Sequence, residues 1–174
     1  MSILKIAKIG HPILIKKAKE INDLGSEKIK KLVYDMTETM LDADGVGLAA
    51  PQVHIDKRIF IYRNPEVENE DKININVIIN PKIKILGEET NDSWEGCLSI
   101  PGILGLVRRF VKIEYSGYDL EGKPISNIAE GMQARIIQHE YDHLDGILYT
   151  SRLAHKNAIG FSEEIEKFWK KNEN

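Results

Sequence analysis

The sequence predicts an α+β fold in which antiparallel β-sheets wrap around a central helix, with an N-terminal and a C-terminal helix outside them. Two segments, near residues 27–42 and 131–145, carry apolar residues at helical spacing. Several short stretches between them are rich in β-branched residues or alternate apolar with polar ones. The chain has 174 residues, 42% of them hydrophobic, so we expect residues 1–174 to form one domain.

The first helix is expected to begin after Ser26, whose side chain suits an N-cap, and to end near Asp42. The segment Asp44-Gly45-Val46-Gly47 then breaks the helix, and small residues follow as far as Gln52. We therefore expect exposed backbone at residues 47–52. The apolar stripe of the helix consists of Ile29, Leu32, Val33, Met36 and Met40.

Strands are predicted at residues 58–62, 77–79, 82–86 and 110–118, with a polar surface loop at about 63–76. The turn-forming sequence Asp119-Leu120-Glu121-Gly122 predicts a hairpin that returns through residues 123–128. The apolar helix at 131–145 follows and is closed by Gly146. A last helix is expected to begin at the cap Ser162, with acidic residues in its first turn and Lys170 and Lys171 in its last.

Composition excludes several classes of function. A net charge of −3 provides no broad attraction for nucleic acid or an anionic membrane, so we expect neither partner. Lysines interrupt the apolar N-terminal stretch, which is too short for a signal peptide or a membrane span. The single cysteine, Cys97, forms no internal disulfide and suits a reducing compartment. We therefore expect a cytoplasmic protein.

The segment Gln138-His139-Glu140-Tyr141-Asp142-His143 has the form of a metal site with its own general base. Residues four apart share one face of a helix, so His139 and His143 can bind a single ion. Glu140 would lie beside the ion without binding it, where it can accept a proton from water. The pattern predicts a metal-dependent hydrolase.

A catalytic site of this type needs a third protein ligand, and the sequence offers more than one. Extended metzincin proteases place a histidine where this chain has Tyr149, so that pattern fails. Thermolysin-like proteases use a glutamate about twenty residues downstream, where Glu163 and Glu164 stand, although helix capping also explains these two acids. Cys97 is the best candidate because Gly96 precedes it and polar residues flank it.

Three segments together resemble the peptide deformylase family. They are Gly45-Val46-Gly47-Leu48-Ala49-Ala50-Pro51-Gln52, Glu95-Gly96-Cys97-Leu98-Ser99 and Gln138-His139-Glu140-Tyr141-Asp142-His143. The similarity also includes Ile9-Gly10-His11-Pro12, Val107-Arg108-Arg109 and Ala134-Arg135, and it extends to about residue 155. The resemblance implies a single catalytic domain that removes the formyl group from N-formylmethionyl peptides of nascent chains and releases formate.

The resemblance also implies the roles of individual residues. Cys97, His139 and His143 would bind one divalent metal ion, which the family suggests is Fe²⁺ in the cell. Zn²⁺, Ni²⁺ or Co²⁺ also suit two imidazoles and a thiolate. Glu140 would act as acid and base, while Gln52 and the backbone N–H of Leu98 would hold the oxyanion.

The substrate is expected to pair with exposed backbone as an added strand. Val46, Gly47 and Gly96 are the expected backbone contacts, and Met132 and Ile136 are the expected wall of an apolar pocket for the methionine side chain. Transient contact with the ribosome is a further hypothesis. In relatives a basic C-terminal helix docks there, whereas residues 163–174 mix Glu and Lys.

Two charged residues near the metal helix have no evident role in the sequence. We hypothesise that Arg109 and Asp142 form an ion pair that orients the helix, because buried charges need partners. Gln138 is either near the metal ligands or exposed. Two rival functions remain open: an endopeptidase with Glu163 or Glu164 as ligand, and a metal or redox sensor that uses Cys97 as a switch.

Overall fold

The computed structural model describes residues 2–64 and 74–169. A 3₁₀ turn at Pro12–Ile15 precedes the regular elements. The helices are α1 (Glu27–Asp42), α2 (Gly131–Leu144) and α3 (Ser162–Phe168). The strands are β1 (Gly47–Ala49), β2 (Ile59–Tyr62), β3 (Asn76–Ile85), β4 (Thr90–Cys97), β5 (Ile100–Phe110), β6 (Lys112–Tyr118), β7 (Pro124–Glu130) and β8 (Ile159–Phe161).

Two antiparallel sheets surround helix α2. One has the strand order β1-β2-β3-β6-β7 and the other the order β4-β5-β8. Helix α2 contacts strands of both sheets, including β1, β2 and β7 of the first and β5 of the second. The predicted α+β class with a central metal-binding helix is confirmed. β1 is an edge strand of the first sheet and β4 is an edge strand of the second.

The first helix forms as its sequence predicts. The Ser26 hydroxyl accepts a hydrogen bond from the Ile29 N–H at 3.4 Å and thereby satisfies one of the free donors of the first turn. The apolar stripe is buried, and Met36 and Met40 pack among residues of β1 and β2. Helix α1 therefore supports the edge strand β1, which leads into the 3₁₀ turn that carries Gln52.

Several strand boundaries differ from the prediction. Residues 77–79 and 82–86 belong mainly to one strand, β3, whose register shifts between Ile79 and Lys82, where Asn80 has a φ of 50°. The predicted strand at 110–118 is divided instead, because β5 ends at Phe110 and β6 begins at Lys112. The hairpin turn at 119–122 is confirmed, since β6 and β7 pair on either side of it.

Strands β4 and β5 were not predicted from the sequence, although they carry part of the site. The sequence of β4 is polar, and β5 contains glycines and a proline, so neither shows an alternating pattern. Their pairing runs from Thr90–Phe110 to Cys97–Ile100. The strands are stabilised by pairing with each other rather than by their own periodicity.

The cap of the last helix is a correction. Phe161, not Ser162, is the N-cap of α3, because Ser162 is already helical, and the phenyl ring of Phe161 has no acceptor with which to make a capping bond. Lys170 and Lys171 lie outside the described residues, as do residues 65–73 of the predicted surface loop. Within the described ranges, no helix combines the length and apolar character needed to cross a membrane.

Candidate active site

The two histidines of α2 and the cysteine of β4 come together as one group. His139 and His143 lie one turn apart, with ring centroids separated by 5.0 Å. Cys97 ends β4, and its Sγ atom lies 3.3 Å from the Nε2 atom of His143. One donor atom from each of the three residues lies within 4.8 Å of the other two. A thiolate and two imidazoles this close fit the ligand set of a divalent transition metal.

Glu95 orients the first of these histidines. A carboxylate oxygen of Glu95 lies 2.9 Å from the Nδ1 atom of His139, which leaves the Nε2 atom for the group. A carboxylate behind a histidine ligand fixes its tautomer and ring direction and makes it more basic. Glu95 is itself buried, because it points from β4 towards α2. The side chain therefore stands directly behind the site.

Two arginines hold the Glu95 carboxylate. Arg109 binds both of its oxygens through Nε and Nη2, each at 3.0 Å, and Arg135 donates to it from Nη1 at 2.7 Å. Arg109 also bonds to Asp142 through Nη1 at 2.5 Å, which confirms the predicted ion pair. Arg152 bonds to the other oxygen of Asp142 at 3.0 Å. A charge network thus links α2 to the strands β4 and β5.

These contacts set the ionisation of the group. Burial opposes ionisation of Glu95, but its bonds from His139 and Arg109 outweigh burial and hold its pKa below the usual value. Burial likewise acts to raise the pKa of the Cys97 thiol, yet the charge of His143 and the bond from His139 hold that pKa well below its usual value. Thiolate is the form of cysteine that binds metals, so the ionisation of Cys97 also fits a metal site.

Glu140 lies on the other side of the group and has very different surroundings. It is 4% exposed, and its Oε2 atom has no hydrogen-bond partner among the described residues. Burial raises the pKa of Glu140 to about 7, although the neighbouring histidines act in the opposite direction. Gly47 lies against this carboxylate, and a Cβ atom at position 47 would collide with it. Glu140 can therefore exchange a proton near neutral pH with a molecule in the cavity.

Gln52 reaches the group from the 3₁₀ turn after β1. Its side-chain oxygen accepts a bond from the Ala49 N–H at 2.8 Å, which turns the amide nitrogen towards the site. That nitrogen donates to the Ser99 hydroxyl at 3.2 Å and lies 3.5 Å from the Cys97 sulfur. Leu98 and Ser99 form the two-residue turn between β4 and β5, directly beside it. The side-chain amide of Gln52 and the backbone of the Leu98–Ser99 turn therefore border the site.

Comparison with known proteins decides the family. The family model described as polypeptide deformylase matches residues 3–158. The chain belongs to the peptide deformylase family. Peptide deformylase 1 of Bordetella pertussis is 42% identical over 163 residues, which cover 92% of this chain and 93% of the relative. Peptide deformylase 2 of Ralstonia nicotianae is also 42% identical, over 164 residues and similar shares of both chains.

Solved structures of deformylases share the fold. The peptide deformylase of Thermotoga maritima superposes with a TM-score of 0.82 at 37% identity, covering 89% of this chain and 100% of the other. The peptide deformylase of Synechococcus elongatus, solved in complex with actinonin, gives 0.81 at 35% identity, with coverages of 94% and 85%. Peptide deformylases are metal-dependent hydrolases that remove the N-formyl group from nascent chains, and this chain is such an enzyme.

The residues implied by the deformylase resemblance surround one cavity of about 630 Å³. His143 is the exception, since it lies behind the cavity, buried and adjacent to Cys97. Other lining residues were missed because the sequence does not show which strands meet there. The predicted residues that line the cavity are Val46, Gly47, Gln52, Gly96, Cys97, Leu98, Met132, Ile136, His139 and Glu140. The missed ones include Lys8, Trp94, Ile103, Leu104 and Ser162.

Glu163 and Glu164, the alternative third ligands, are exposed on α3 and lie outside the metal-binding group. The hydroxyl of Tyr149 donates to the carbonyl oxygen of Ile103 at 3.1 Å, and its ring stacks on His139. Gln138 is buried rather than exposed, and its side-chain amide bonds to both backbone groups of Phe110. Glu95 is the main residue whose role the sequence did not reveal.

Proposed function

We propose that this deformylase hydrolyses the formyl amide of N-formylmethionyl peptides with Glu140 as acid and base, and with Gln52 and the Leu98 N–H as oxyanion donors. The observation that carries the proposal is one shared cavity. It is lined by Cys97 and His139, with His143 directly behind them, by the buried Glu140, whose Oε2 atom has no partner among the described residues, and by the oriented amide of Gln52. Residues 1–174 would act as one catalytic domain.

Cys97, His139 and His143 would hold the metal. A divalent ion bound there would act as a Lewis acid and lower the pKa of water, so that a nucleophile forms near neutral pH. The soft thiolate and the two imidazoles suit Fe²⁺, Zn²⁺, Ni²⁺ or Co²⁺, and family resemblance favours Fe²⁺ in the cell.

Glu140 would carry the proton through the reaction. It accepts a proton from the attacking water and later donates it to the nitrogen of the departing methionyl amine. The formyl C–N bond breaks, and the formyl carbon leaves as formate with the oxygen of that water. A pKa of about 7 suits both transfers, because neither protonation state of Glu140 is then strongly favoured at neutral pH.

Gln52 and Leu98 would stabilise the charge that develops on the formyl oxygen. The amide nitrogen of Gln52 is fixed by the bond between its side-chain oxygen and Ala49, so it need not reorganise during the reaction. The N–H of Leu98 lies in the turn that Gln52 contacts through Ser99. Two such donors act best when their separation is constant.

The peptide would bind between the two sheets. Edge strands β1 and β4 both border the cavity, β1 with Gly47 and β4 with Gly96, so an extended peptide can pair with free backbone groups. Met132 and Ile136 of α2 line the same cavity and provide apolar surface for the methionine side chain.

The decisive experiment is a formate-release assay on formyl-Met-Ala-Ser peptide. Acetyl-Met-Ala-Ser and unmodified Met-Ala-Ser serve as matched controls, and the assay is run without oxygen in the presence of Fe²⁺ or Ni²⁺. We expect formate from the formylated peptide alone. Cleavage of an internal peptide bond in a longer substrate, without formate, would contradict the proposal and support an endopeptidase.

Metal analysis tests the ligand assignment. Cys97→Ala should bind Zn²⁺ or Ni²⁺ far more weakly than the wild type, because it leaves two protein ligands. Glu163→Ala is the control and should bind metal normally, since Glu163 is exposed on α3. Normal metal content in Cys97→Ala would refute the ligand set.

Oxygen sensitivity tests the metal itself. Protein prepared anaerobically with Fe²⁺ should lose activity in air, because both ferrous iron and its thiolate ligand are oxidisable. The Ni²⁺ form of the same preparation should keep its activity. An iron form that remains fully active in air would count against iron as the metal at this site.

We further propose that the enzyme works in the cytoplasm, where it would meet nascent chains, and that it contacts the ribosome transiently. The described part of α3 carries Glu163, Glu164 and Glu166 but only Lys167, so it offers no basic docking face. Co-sedimentation with ribosomes over a salt series tests the contact. Absence of the protein from the ribosomal pellet at low salt would refute it.

A further inference from the structure

Three consecutive N-terminal residues bind both segments that carry the oxyanion donors. The Ala7 N–H donates to the backbone oxygen of Gln52 at 2.7 Å, and the Ile9 N–H donates to that of Ser99 at 2.9 Å. Between them, the Lys8 ammonium donates to the carbonyl oxygen of Leu98 at 2.8 Å. We name residues 7–9 the N-terminal strap. The strap thus bonds to the Gln52 segment through Ala7 and to the Leu98–Ser99 turn through Lys8 and Ile9.

The strap connects elements that are otherwise joined weakly at this point. Gln52 belongs to the 3₁₀ turn after β1, and Leu98 lies in the turn between β4 and β5, which are strands of different sheets. The direct hydrogen bonds between these two segments come from the Gln52 side-chain nitrogen, to the Ser99 hydroxyl at 3.2 Å and to the Cys97 sulfur at 3.5 Å. The strap adds a path through backbone groups, which move less than side chains.

Lys8 is the side chain of the strap that reaches the cavity. Its backbone neighbour Ala7 is 2% exposed and anchors the strap in the core, whereas Lys8 is exposed and lines the cavity. A lysine with its stem along the protein and its ammonium on one carbonyl has exchanged rotamer freedom for that bond. A bond from a charged donor is stronger than a neutral one. The ammonium therefore restrains the Leu98–Ser99 peptide group, which adjoins the peptide group that carries the Leu98 N–H, at the cavity rim.

We propose that the N-terminal strap fixes the separation of the two oxyanion donors and that Lys8 is a positioning residue for the Leu98 N–H. This inference rests on the proposed roles of Gln52 and Leu98. An oxyanion donor must lie within a few tenths of an ångström of its optimal distance to be fully effective. A turn of two residues has few internal bonds, so losing the bond to Leu98 lets the donor move. Misplacement by about 1 Å costs up to about a hundredfold in rate.

The test compares three variants of the full chain with the wild type. Lys8→Met keeps the apolar stem and removes the ammonium, Lys8→Arg keeps a cationic donor, and Lys5→Met removes an exposed lysine three positions earlier. For Lys5, no hydrogen bond or ion pair is seen within residues 2–64 and 74–169. Each protein is loaded with Ni²⁺, and kcat, KM and metal content are measured with formyl-Met-Ala-Ser.

We expect Lys8→Met to lower kcat about three- to tenfold while KM and metal content stay within about twofold of wild type, because the donor acts mainly in the transition state. Lys8→Arg should recover most of that loss, and Lys5→Met should match the wild type. In zinc-loaded protein labelled with ¹⁵N-leucine, the Leu98 amide signal should shift in Lys8→Met and not in Lys5→Met.

Several outcomes would overturn the inference. An unchanged kcat in Lys8→Met, or an unmoved Leu98 signal, shows that the ammonium does not position this peptide. A rise in KM with constant kcat shows that Lys8 binds substrate instead, and a loss of metal shows that it supports the ligands. If the wild type releases no formate, the proposed function fails and this inference fails with it. If the wild type releases formate and Lys8→Met has the same kcat, this inference is overturned while the proposed function stands.

Discussion

Glu95 and Glu140 flank the same histidine, are almost equally buried, and have opposite acid–base properties. Glu95 is 6% exposed and Glu140 is 4% exposed. Glu95 faces Arg109 and Arg135, and its pKa is lowered. Both residues line the cavity, but one oxygen of Glu140 has no partner in the described parts of the chain, and burial raises the pKa of Glu140 to about 7. Burial alone therefore does not decide the charge of a carboxylate.

The difference corresponds to a division of labour on the two sides of His139. On the β4 side a permanently charged carboxylate holds the ring in place, which is a structural task. On the side of Gly47 and β1, a carboxylate that can gain or lose a proton is free to take part in chemistry. The arginines account for this difference, since they bond to Glu95 and, among the described residues, form no ion pair with Glu140. Four substitutions test this division, in order of expected effect.

Replacing Glu140 should give the largest effect. Glu140→Gln removes proton transfer but keeps the shape, so we expect kcat to fall by about 10²–10⁴-fold. Metal content should remain near that of the wild type, because Glu140 is not in the ligand group. Formate release and metal analysis of the same sample provide the measurement. Loss of metal in this variant would show that Glu140, and not Glu95 alone, supports metal binding.

Replacing Gln52 should have the next largest effect. Gln52→Leu removes one oxyanion donor, and such losses cost about 10²–10³-fold in kcat. Its metal affinity should change little, since Gln52 contacts the ligand sulfur only at 3.5 Å. Normal turnover by Gln52→Leu would refute the role of Gln52 as an oxyanion donor. Glu140 would then be the main catalytic side chain of the site.

Replacing Arg109 should mainly affect stability. Arg109→Met leaves Asp142 and Glu95 with one fewer partner in a buried position, which typically costs about 3–5 kcal/mol. Its neighbour Arg108 is the matched control, because it is bonded to Asp92 with its side chain 58% exposed. Arg108→Met should lower the free energy of unfolding far less, because its exposed ion pair is screened by solvent. Urea unfolding of both variants checks the contrast, and equal losses would contradict a special role for the buried network.

Replacing Glu95 should give the smallest effect, and it should lower metal affinity rather than kcat. Glu95→Gln weakens the bond to His139 and leaves two arginines facing a neutral amide. We expect metal affinity to fall by about 10–100-fold, as for other residues behind metal-binding histidines. Chelator competition with Zn²⁺ measures this, followed by kcat at saturating metal. A kcat loss as large as that of Glu140→Gln with metal fully bound would erase the distinction between the two carboxylates.

Local sequence patterns predicted the helices, whose hydrogen bonds join residues that are near one another in the sequence. Helix α1 follows its apolar stripe and its Ser26 cap, and α2 follows its own periodicity. The polar strand β4 could not be recognised, because its buried residues acquire partners only from β5 and α2. Similarly, at the break between β5 and β6, the Gln138 amide bonds to both backbone groups of Phe110, and the backbone of Val111 bonds to Glu89 and Gly131. Such boundaries arise from contacts between distant segments.

The sequence by itself determined the chemistry of the site and, through resemblance, the family. His139, Glu140 and His143 lie within one helical turn of each other, so their spacing alone brings them together. Only the tertiary structure decided the surroundings, since Cys97, Gln52 and Glu95 approach that turn from other elements. It also placed arginines behind Glu95 and none beside Glu140 among the described residues. The cause is physical: a carboxylate's pKa depends on charges and burial within a few ångströms, and distant segments supply both.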